Sequence, residues 1–421
     1  MKKTAGIFMF AVLSMLMGGA AGAVIWLILK VMNAGIQVIW TRIPESLGLS
    51  GTLVYSMAVC TAGGILIGLG QRRFGAMPEN LHQVMGKVKA DGGYPYDRLH
   101  IIVLTALLPL VFGGAVGPEA GLSGFIAGIC TLIGDRLKYK GDRVAAMAET
   151  GIATAVGVIF GSPLFGIVGN LEPDDRSEKY REKLVSKKSR IFIYCAGVAG
   201  GMLTMKGLST VFGSSGSLPR LAREHAVGFD QWKWSLLLIA AGILAGVVFL
   251  LFQKLTACAG RRMQNRKIVS AAAAGVLLGV IGHFIPESMF SGEHQMAELI
   301  EKWTEYSAWI LILAAAAKML LVNVCINFGW RGGNIFPLIY AGVAVGYAFA
   351  LATGMENAAS VLDGGFAVAM TVSAMCGYIM RKPLMVVAVL LLCFPVTYII
   401  PIAAAAFVAS RVPEIPLLKE E

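Results

Sequence analysis

Charged side chains are scarce in this sequence. Only 14% of the 421 residues are Asp, Glu, Lys or Arg, whereas 57% are hydrophobic and the mean hydropathy is +0.71. An ordinary soluble domain carries about 25% charged residues, and its core cannot absorb this much apolar surface. The composition therefore excludes a typical soluble protein and predicts an integral membrane protein.

Patterns for metal or nucleotide chemistry are absent as well. The seven cysteines form no CxxC pair, the five histidines form no HExxH motif, and no glycine-rich stretch matches GxxxxGK[ST] or a strand-based GxGxxG. We therefore expect no metal site and no cofactor, and interpret the cysteines as small packing residues. The net charge of +11 comes from basic residues in short loops between apolar runs, so no nucleic-acid partner is expected.

Long, nearly uncharged runs are abundant instead. About twenty apolar residues span a bilayer as a helix, and the clearest runs are residues 5–29, 101–116, 234–252, 308–322 and 383–408. Lys2 and Lys3 before the first run are typical of a signal peptide. The run continues through residues 22–26 without a small-residue cleavage site, however, so we expect it to remain as the first span. The sequence predicts a multi-pass protein of the cell membrane, surrounded by lipid bilayer.

The two halves of the chain resemble each other. Three pairs of motifs recur in the same order: His82-Gln83 with His294-Gln295, Gly117 with Gly333, and Ser162-Pro163-Leu164 with Lys382-Pro383-Leu384. Related halves of opposite orientation are a common transporter architecture. Basic clusters, which mark cytoplasmic loops, lie near residues 72–89, 136–143, 176–190 and 254–267. We predict a first membrane repeat at 1–175, a cytoplasmic linker at 176–190, a second repeat at 191–412 and a short tail at 413–421.

Both halves carry a cluster of glycine and proline between apolar segments, at Gly117-Pro118 and at residues 333–337. Glycine frees the backbone and proline begins a helix well, so we predict a helix start in mid-membrane at each cluster. Two helix starts that meet near the bilayer midplane would offer N–H groups and partial positive charge to a small anion. The alternative is that glycines only allow close helix packing, at Gly117, Gly121, Gly124 and Gly128.

Three ionisable residues lie within apolar sequence, where an ionised side chain is costly. Glu119 directly follows Gly117-Pro118. A carboxylate there would compete with a permeating anion for the same N–H groups and leave when protonated, so Glu119 is a candidate gate; the alternative is a glutamate at the membrane interface. Glu149 is enclosed in the same way. For Lys318 we expect a side chain that snorkels to an interface.

Two further motifs complete a resemblance. Residues 150–166 form a run of small residues that ends in Ser-Pro-Leu-Phe-Gly, and residues 76–79 read Ala-Met-Pro-Glu. With Gly117-Pro118-Glu119 and residues 333–337, these motifs resemble those of the CLC family of chloride channels and chloride/proton antiporters, from about Gly6 to Val412. The resemblance implies an all-α fold of two inverted repeats with many tilted and broken transmembrane helices. It also implies a homodimer with one pore per subunit.

The same resemblance implies the site. Glu119 takes the role of the family's external gating glutamate, and the N–H groups of Asn334 and Ile335 line the central anion site. The whole set expected around the anion is Gly75, Ala76, Gly117, Pro118, Gly333, Asn334, Ile335 and Phe336.

Several side chains depart from the family pattern. Gly75 stands at the position of the anion-coordinating serine, and Pro118 replaces a basic residue. The phenylalanine of the Gly-x-Phe-x-Pro motif corresponds to Ile335 or to Phe336. The sequence reads Pro416-Leu417-Leu418 where many members have Pro-Leu-Tyr, so we find no counterpart of the anion-contacting tyrosine.

Proton coupling stays open in the sequence. Antiporters of this family carry a second, internal glutamate after the Pro-Leu helix, and that position falls at Pro173, between Glu172 and Asp174. Either carboxylate, or neither, serves a proton pathway, and Glu149 is a further candidate.

We predict transport of a small inorganic anion such as chloride by a CLC-type channel or anion/proton antiporter, with no enzyme activity. One alternative is an unrelated secondary transporter with broken helices, which needs a pocket for a bulky solute. The other is a membrane-embedded enzyme in which Glu119, Glu149 and His100 converge.

Overall fold

The computed structural model describes residues 2–79, 81–91, 93–136, 187–213, 221, 228–353 and 364–416. These residues form helices joined by short connections, with one isolated β-type bridge between Gly117 and Gly333. Along the described chain the α-helices are α1 (Lys2–Gln37), α2 (Ile43–Leu47), α3 (Leu53–Phe74), α4 (Leu81–Asp91), α5 (Leu99–Val111), α6 (Glu119–Arg136), α7 (Lys187–Phe212), α8 (Ser235–Met263), α9 (Lys267–Phe284), α10 (Glu293–Lys302), α11 (Ala308–Asn327), α12 (Ile335–Ala352), α13 (Gly364–Met380), α14 (Pro383–Cys393) and α15 (Ile399–Arg411).

Within the described residues, six helical segments are long and apolar enough to cross a membrane: Ala11–Leu47, Leu53–Phe74, Asp230–Met263, Lys267–Phe284, Ala308–Asn327 and Ile335–Ala352. Large apolar side chains cover their outer faces; Leu236 of α8 is 80% exposed and Trp309 of α11 is 83% exposed. Lipid tails accommodate such side chains, whereas water does not. The prediction of an all-α, multi-pass membrane protein is confirmed.

Two of the expected spans are interrupted. Residues 383–408 form two helices, α14 and α15, with a break at Phe394 and Pro395. Proline has no N–H group and disfavours a helical residue before it, and Phe394 accordingly adopts φ −118° and ψ 146°. Residues 101–116 leave the helix after α5 and turn at Gly113, where φ is +87°. Hydropathy predicts the apolar runs, but proline and glycine divide them.

The chain divides into two compact units that interleave along the sequence. Unit 1 comprises Met1–Gly35, Ala76–Leu107 and Pro118–Ser217, and unit 2 comprises Ile36–Gly75, Leu108–Gly117 and Leu218–Glu421. The predicted repeats, which end at residue 175 and begin at residue 191, come from the similarity of the two halves and not from these units. They stay predictions, as does the tail at 413–421. Of the expected linker, residues 187–190 belong to α7, and residues 176–186 lie outside the described part.

The core of unit 2 consists of α12 and α13, whose residues are buried almost throughout. Small residues bring the helices close together. A Cβ on Gly346 of α12 would lie 2.6 Å from the Cα of Val368 in α13. A Cβ on Gly275 of α9 would overlap the carbonyl oxygen of Cys60 in α3. These contacts leave no room for larger side chains at either glycine.

Unit 1 contains α6, which packs against α5 through glycines on one face. A Cβ on Gly121 would overlap the methyl carbon of Ala106, and a Cβ on Gly128 would lie 2.5 Å from Cδ2 of Leu99. Gly124 occupies the same face, since residues three and four apart are neighbours on a helix. Close packing is therefore a role of Gly121 and Gly128; a Cβ on Gly124 would lie at ordinary contact distance from Tyr94, and Gly117 takes part in a different contact.

Candidate functional site

Gly117 and Gly333, the two glycines that the internal similarity pairs, are hydrogen-bonded to each other in unit 2. The N–H of Gly117 donates to the carbonyl of Gly333 at 2.7 Å, and the N–H of Gly333 donates to the carbonyl of Gly117 at 2.8 Å. The adjacent Gly332 permits this approach, because a Cβ there would lie 2.6 Å from two carbon atoms of Val116. The two segments at which the sequence predicts helix starts are therefore joined.

This bridge changes what the two glycines can offer to a ligand. Both of their N–H groups are engaged in it, so they hold the backbone in place and do not act as donors to an anion in this structure. The next helix, α12, begins at Ile335, and the N–H of Leu338 donates to the carbonyl of Asn334 at 3.0 Å. Amides in the first turn have no acceptor within their own helix and carry partial positive charge. The start of α12 therefore carries partial positive charge, and its role as an anion site stays a prediction.

Trp330 and Gln71 hold the segment that leads to Gly333. The indole N–H of Trp330 donates to the carbonyl of Ala271 in α9 at 2.8 Å, and the ring is fully buried. The side-chain amide of Gln71 donates to the carbonyl of Gly329. Sequence reasoning assigned no role to either residue, because their partners are backbone carbonyls of distant segments that leave no trace in the sequence pattern.

The connection that leads to Gly117 is braced by aromatic and sulfur-containing side chains. Gly113 turns the chain with φ +87°, and a Cβ there would lie 2.6 Å from Cε of Met289 and 2.8 Å from the ring of Trp40. The indole N–H of Trp40 donates to the carbonyl of Val111 at 3.0 Å. The N–H of Phe290 donates to the carbonyl of Gly113 at 3.1 Å.

Glu119 is the first residue of α6 and is only 2% exposed. Its burial argues against the alternative of a solvent-exposed interfacial glutamate. A carboxylate at a helix N-terminus is favoured by the partial positive charge of the helix. Pro118 precedes it, and the Pro118 carbonyl accepts the N–H of Leu122 at 3.1 Å as the first turn closes. The sequence-predicted helix start at this proline is present.

Gly75 ends α3 with φ +86° and ψ −163°. This conformation favours glycine over any L side chain, which gives a physical reason for the absence of the family's serine. Ala76, the next residue, is exposed. Both residues stay predicted parts of the anion site.

Glu79, at the end of the 76–79 motif in unit 1, has two polar partners. Its carboxylate pairs with Lys87 of α4 and accepts the hydroxyl hydrogen of Tyr94 at 3.3 Å. Burial, and secondarily the Glu79 carboxylate, raises the pKa of Tyr94. Tyr94 therefore stays protonated at neutral pH and ties the motif to the segment before α5.

The prediction that Lys318 snorkels to an interface is wrong. Its side chain is fully buried in α11, and the ammonium donates to the carbonyls of Glu287, Met289 and Phe290 at 3.1, 2.5 and 2.9 Å. It also lies 4.9 Å from the ring centre of Tyr340. Three carbonyls replace the water that an interface would supply, so the lysine does not need to reach the membrane surface.

Other predicted positions contribute less to the described structure. Glu149, Glu172, Asp174 and the 150–166 run lie outside the described residues, so their proton-pathway and motif roles stay predictions. His100 is exposed on α5 whereas Glu119 is buried, an arrangement that lends no support to the enzyme alternative. Five cysteines are buried, as expected of packing residues, whereas Cys195 and Cys258 are exposed. The described residues contain no cluster of three or more metal-binding side chains.

An open groove of about 490 Å³ lies on the surface of α8, α9 and α11. Its lining is apolar except for Thr256, and it contains none of the predicted site residues: Leu255, Thr256, Ala259, Ala273, Ala274, Val276, Leu277, Val280, Val324 and Phe328. Such a lining suits lipid tails and lacks the convergent polar groups that a bulky polar solute requires. This groove therefore gives no support to the alternative of an unrelated solute transporter.

A multi-pass helical protein with helices that begin at joined glycine segments has the architecture of ion channels and transporters. Comparison with known families makes the assignment specific. The family model described as voltage gated chloride channel matches residues 63–414. The chain therefore belongs to this family, the CLC family of the resemblance.

Relatives and solved structures agree with this assignment. YfeO of Escherichia coli strain SE11, named as a candidate ion-transport protein, is 27% identical over 338 residues, which are 78% of this chain and 76% of YfeO. A slow cyanobacterial Cl⁻/H⁺ antiporter has a similar structure, with a TM-score of 0.78 and 15% identity over 94% of this chain and 93% of the other. A CLC-type fluoride/proton antiporter gives a TM-score of 0.69 and 16% identity over 96% and 95%. At these identities the two structures establish the fold.

Proposed function

We propose that this protein moves a small inorganic anion such as chloride across the cell membrane, and that backbone N–H groups at the start of α12 bind it. The single observation that carries the proposal is the reciprocal hydrogen bonding of Gly117 and Gly333. It joins the two segments at which helices begin, and α12 starts two residues after Gly333. Amides in the first turn of a helix carry partial positive charge, which supports the start of α12 as the proposed anion site. We propose transport and not catalysis, in line with the family.

The proposed donors are the amides of Asn334, Ile335 and Phe336. Gly117 and Gly333 act as the clamp that orients them, and Gly75, Ala76 and Pro118 are proposed as further contacts of the anion pathway. Backbone donors suit a small anion because they supply partial charge without a counter-ion that would hold the anion too tightly to leave. Gly75 replaces the family's anion-coordinating serine, and the anion-contacting tyrosine has no counterpart. Both differences change side-chain contacts with the anion, whereas the backbone N–H groups do not depend on them.

Glu119 is the proposed gate. Its burial and its position on the first turn of α6 support this role, because an ionised carboxylate there occupies the kind of N–H environment that an anion seeks. Protonation removes the negative charge and with it the competition. We therefore expect anion flux to increase as the external pH falls.

We further propose that anion movement is coupled to proton movement. Both structural neighbours reported above are named as proton-coupled antiporters, which supports protons as a second transported ion. Glu172, Asp174 and Glu149 are the proposed proton-pathway residues, with either of the first two in the role of internal glutamate. We also propose that the protein works as a homodimer in the lipid bilayer, with one pore per subunit.

Flux from loaded liposomes tests the proposal. Purified protein is reconstituted, and the efflux of chloride, fluoride and nitrate is measured with ion-selective electrodes while the proton movement is followed by a pH indicator. We expect protein-dependent efflux of at least one of these anions, and proton movement in the opposite direction if the protein is an antiporter. Efflux equal to that of empty liposomes for all three anions would contradict the proposal.

A further inference from the structure

The open groove on α8, α9 and α11 offers an apolar surface to its occupant. Among the described residues that line it, Thr256 has the one polar side chain, and Thr256 is only 7% exposed. The Thr256 hydroxyl donates to the carbonyl of Phe252 at 2.7 Å and accepts a side-chain amide hydrogen of Asn327 at 2.8 Å. The three helices belong to unit 2. A chain of methylene groups therefore suits this apolar groove better than a polar solute does.

Both helical walls of the apolar groove lead to an exposed arginine. Leu255 and Ala259 line the groove on α8, and Arg262 follows them at spacings of seven and three residues, on the same face of the helix. Ala273 lines the groove on α9, and Arg266, the residue before this helix, precedes it by seven. These spacings are about 4.5 Å and about 10 Å along the helix axes. Because α8 and α9 are consecutive, both arginines lie beyond the same end of the groove.

The charge at this end is of one sign. Residues 254–267 include five Lys or Arg residues, and residues 231–286 contain no Asp or Glu. In the described part of the chain, no ion pair involves Arg262 or Arg266. Arginine forms strong, charge-assisted hydrogen bonds with phosphate oxygens. The end of the groove therefore complements a phosphate group.

The position of α9 in the membrane places this basic end at the level of lipid headgroups. The helix Lys267–Phe284 has 18 residues and is apolar enough to span a bilayer. Its length of about 27 Å nearly equals the hydrocarbon thickness of about 30 Å, so its first residue lies at the membrane boundary. The basic cluster near residues 254–267 predicts that this boundary is cytoplasmic, and the cytoplasmic leaflet contains anionic lipids. An apolar groove with positive charge at its membrane boundary has the chemistry to hold a phospholipid.

We propose that the apolar groove binds an acyl chain of an anionic phospholipid of the cytoplasmic leaflet, and that Arg262 and Arg266 bind the phosphate of its headgroup. The inference does not depend on the proposed transport function. A second copy of this chain suits the groove less well. A two-fold axis along the membrane normal would bring the same arginines of two subunits to the same depth, where their like charges repel.

A lipid in the apolar groove also contacts the segment that leads to Gly333. Phe328 lines the groove and lies directly after α11, where the connection to Gly333 begins. The carbonyl of Phe328 accepts the hydroxyl hydrogen of Ser270 in α9 at 3.4 Å. An acyl chain packed against Phe328 therefore supports this connection. Since a ligand of the folded state stabilises it, lipid binding should raise the midpoint of thermal unfolding.

Binding of two lipids that differ only in their headgroups tests the inference. The full-length protein in detergent is titrated with dioleoyl phosphatidylglycerol, which is anionic, and with dioleoyl phosphatidylcholine, which is zwitterionic. Bound lipid is counted by native mass spectrometry, and the unfolding midpoint is measured in parallel. Glycerol phosphate serves as a probe without acyl chains.

Two pairs of variants separate the headgroup site from the groove. Arg262→Gln with Arg266→Gln removes the proposed phosphate ligands. Its matched control is Arg42→Gln with Arg411→Gln, which removes the same charge from exposed arginines outside α8, α9 and α11.

The second pair tests the groove itself. Ala273→Phe fills the groove from an exposed position in its lining. Ala240→Phe adds the same ring at an exposed position of α8 that is not part of the lining. Oligomeric state is measured for both variants.

We expect the wild type to bind phosphatidylglycerol roughly tenfold more tightly than phosphatidylcholine, and phosphatidylglycerol to raise the unfolding midpoint. The preference should disappear in Arg262→Gln with Arg266→Gln and persist in the arginine control. Ala273→Phe should weaken the binding of phosphatidylglycerol, whereas Ala240→Phe should not. If Ala273→Phe does not fold, the arginine variants carry the test.

Equal affinity for the two lipids in the wild type, or an undiminished preference without the two arginines, would overturn the inference. Stabilisation by glycerol phosphate as large as that by phosphatidylglycerol would show that the groove is not needed. A changed oligomeric state in Ala273→Phe with unchanged lipid binding would assign the groove to a second copy of the chain. Because anion flux is not among these measurements, failure of the transport proposal would leave the lipid site in place.

Discussion

Gly332→Ala is expected to disturb the bridge that positions the proposed site. A Cβ at this position would lie 2.6 Å from Cβ and Cγ2 of Val116 and 3.1 Å from the carbonyl oxygen of Gly117. Carbon atoms pack best at about 3.5–4.0 Å, so the two backbones must separate by about 1 Å. Over-packing of this kind costs about 1–3 kcal/mol. We expect a lower apparent midpoint of thermal unfolding in detergent and reduced anion flux in liposomes.

Two companion variants make this prediction specific. Val116→Gly removes the atoms that the new methyl group meets, so the double variant should be more stable than the two single effects predict, by about 1 kcal/mol or more. Gly70→Ala is the matched control, since no atom lies within 4 Å of a Cβ at Gly70 in α3; it should be neutral or slightly stabilising. If Gly332→Ala has the same unfolding midpoint and anion flux as Gly70→Ala, the proposed clash is contradicted. The same holds if the free-energy changes of Gly332→Ala and Val116→Gly simply add in the double variant.

Trp330→Phe and Tyr94→Phe test two other supports. Trp330→Phe removes the indole N–H that donates to the carbonyl of Ala271 and should cost about 0.5–1.5 kcal/mol, measured as a lower unfolding midpoint. An unchanged midpoint would contradict the role of this bond. For Tyr94, burial and then Glu79 raise the pKa above its ordinary value, so its contribution to stability is full below about pH 10 and is lost as pH rises through the folded pKa. Tyr94→Phe should therefore lose less thermal stability than the wild type above about pH 10, and equal losses would contradict this assignment.

The helix starts could be predicted from the sequence because the responsible chemistry is local. Proline at Pro118 and Pro337 lacks an N–H group wherever it lies, and the glycine before each cluster permits close approach in any fold. The contact of Gly117 with Gly333 follows from the internal similarity. The sequence did not indicate that this contact uses the glycines' own N–H groups, since hydrogen-bond partners depend on the backbone path.

The role of Lys318 could not be predicted in the same way. Its three acceptors are carbonyls 28 to 31 residues earlier in the chain, and any residue type supplies a carbonyl. The sequence therefore contains the donor and no sign of the acceptors, and snorkelling was the natural expectation. The division of residues 383–408 was more accessible, since Pro395 is visible in the sequence and hydropathy averaging conceals it.

Anion flux through reconstituted wild type and Glu119→Gln, measured at several external pH values, tests the account most directly. Gln has the shape of a protonated glutamate and cannot ionise, so it cannot compete with the anion. The account predicts anion flux in the wild type that increases as the external pH falls, and flux in Glu119→Gln that is at least as large, independent of pH and without proton movement. A variant with the wild-type pH dependence, or a wild type without anion flux, would contradict it.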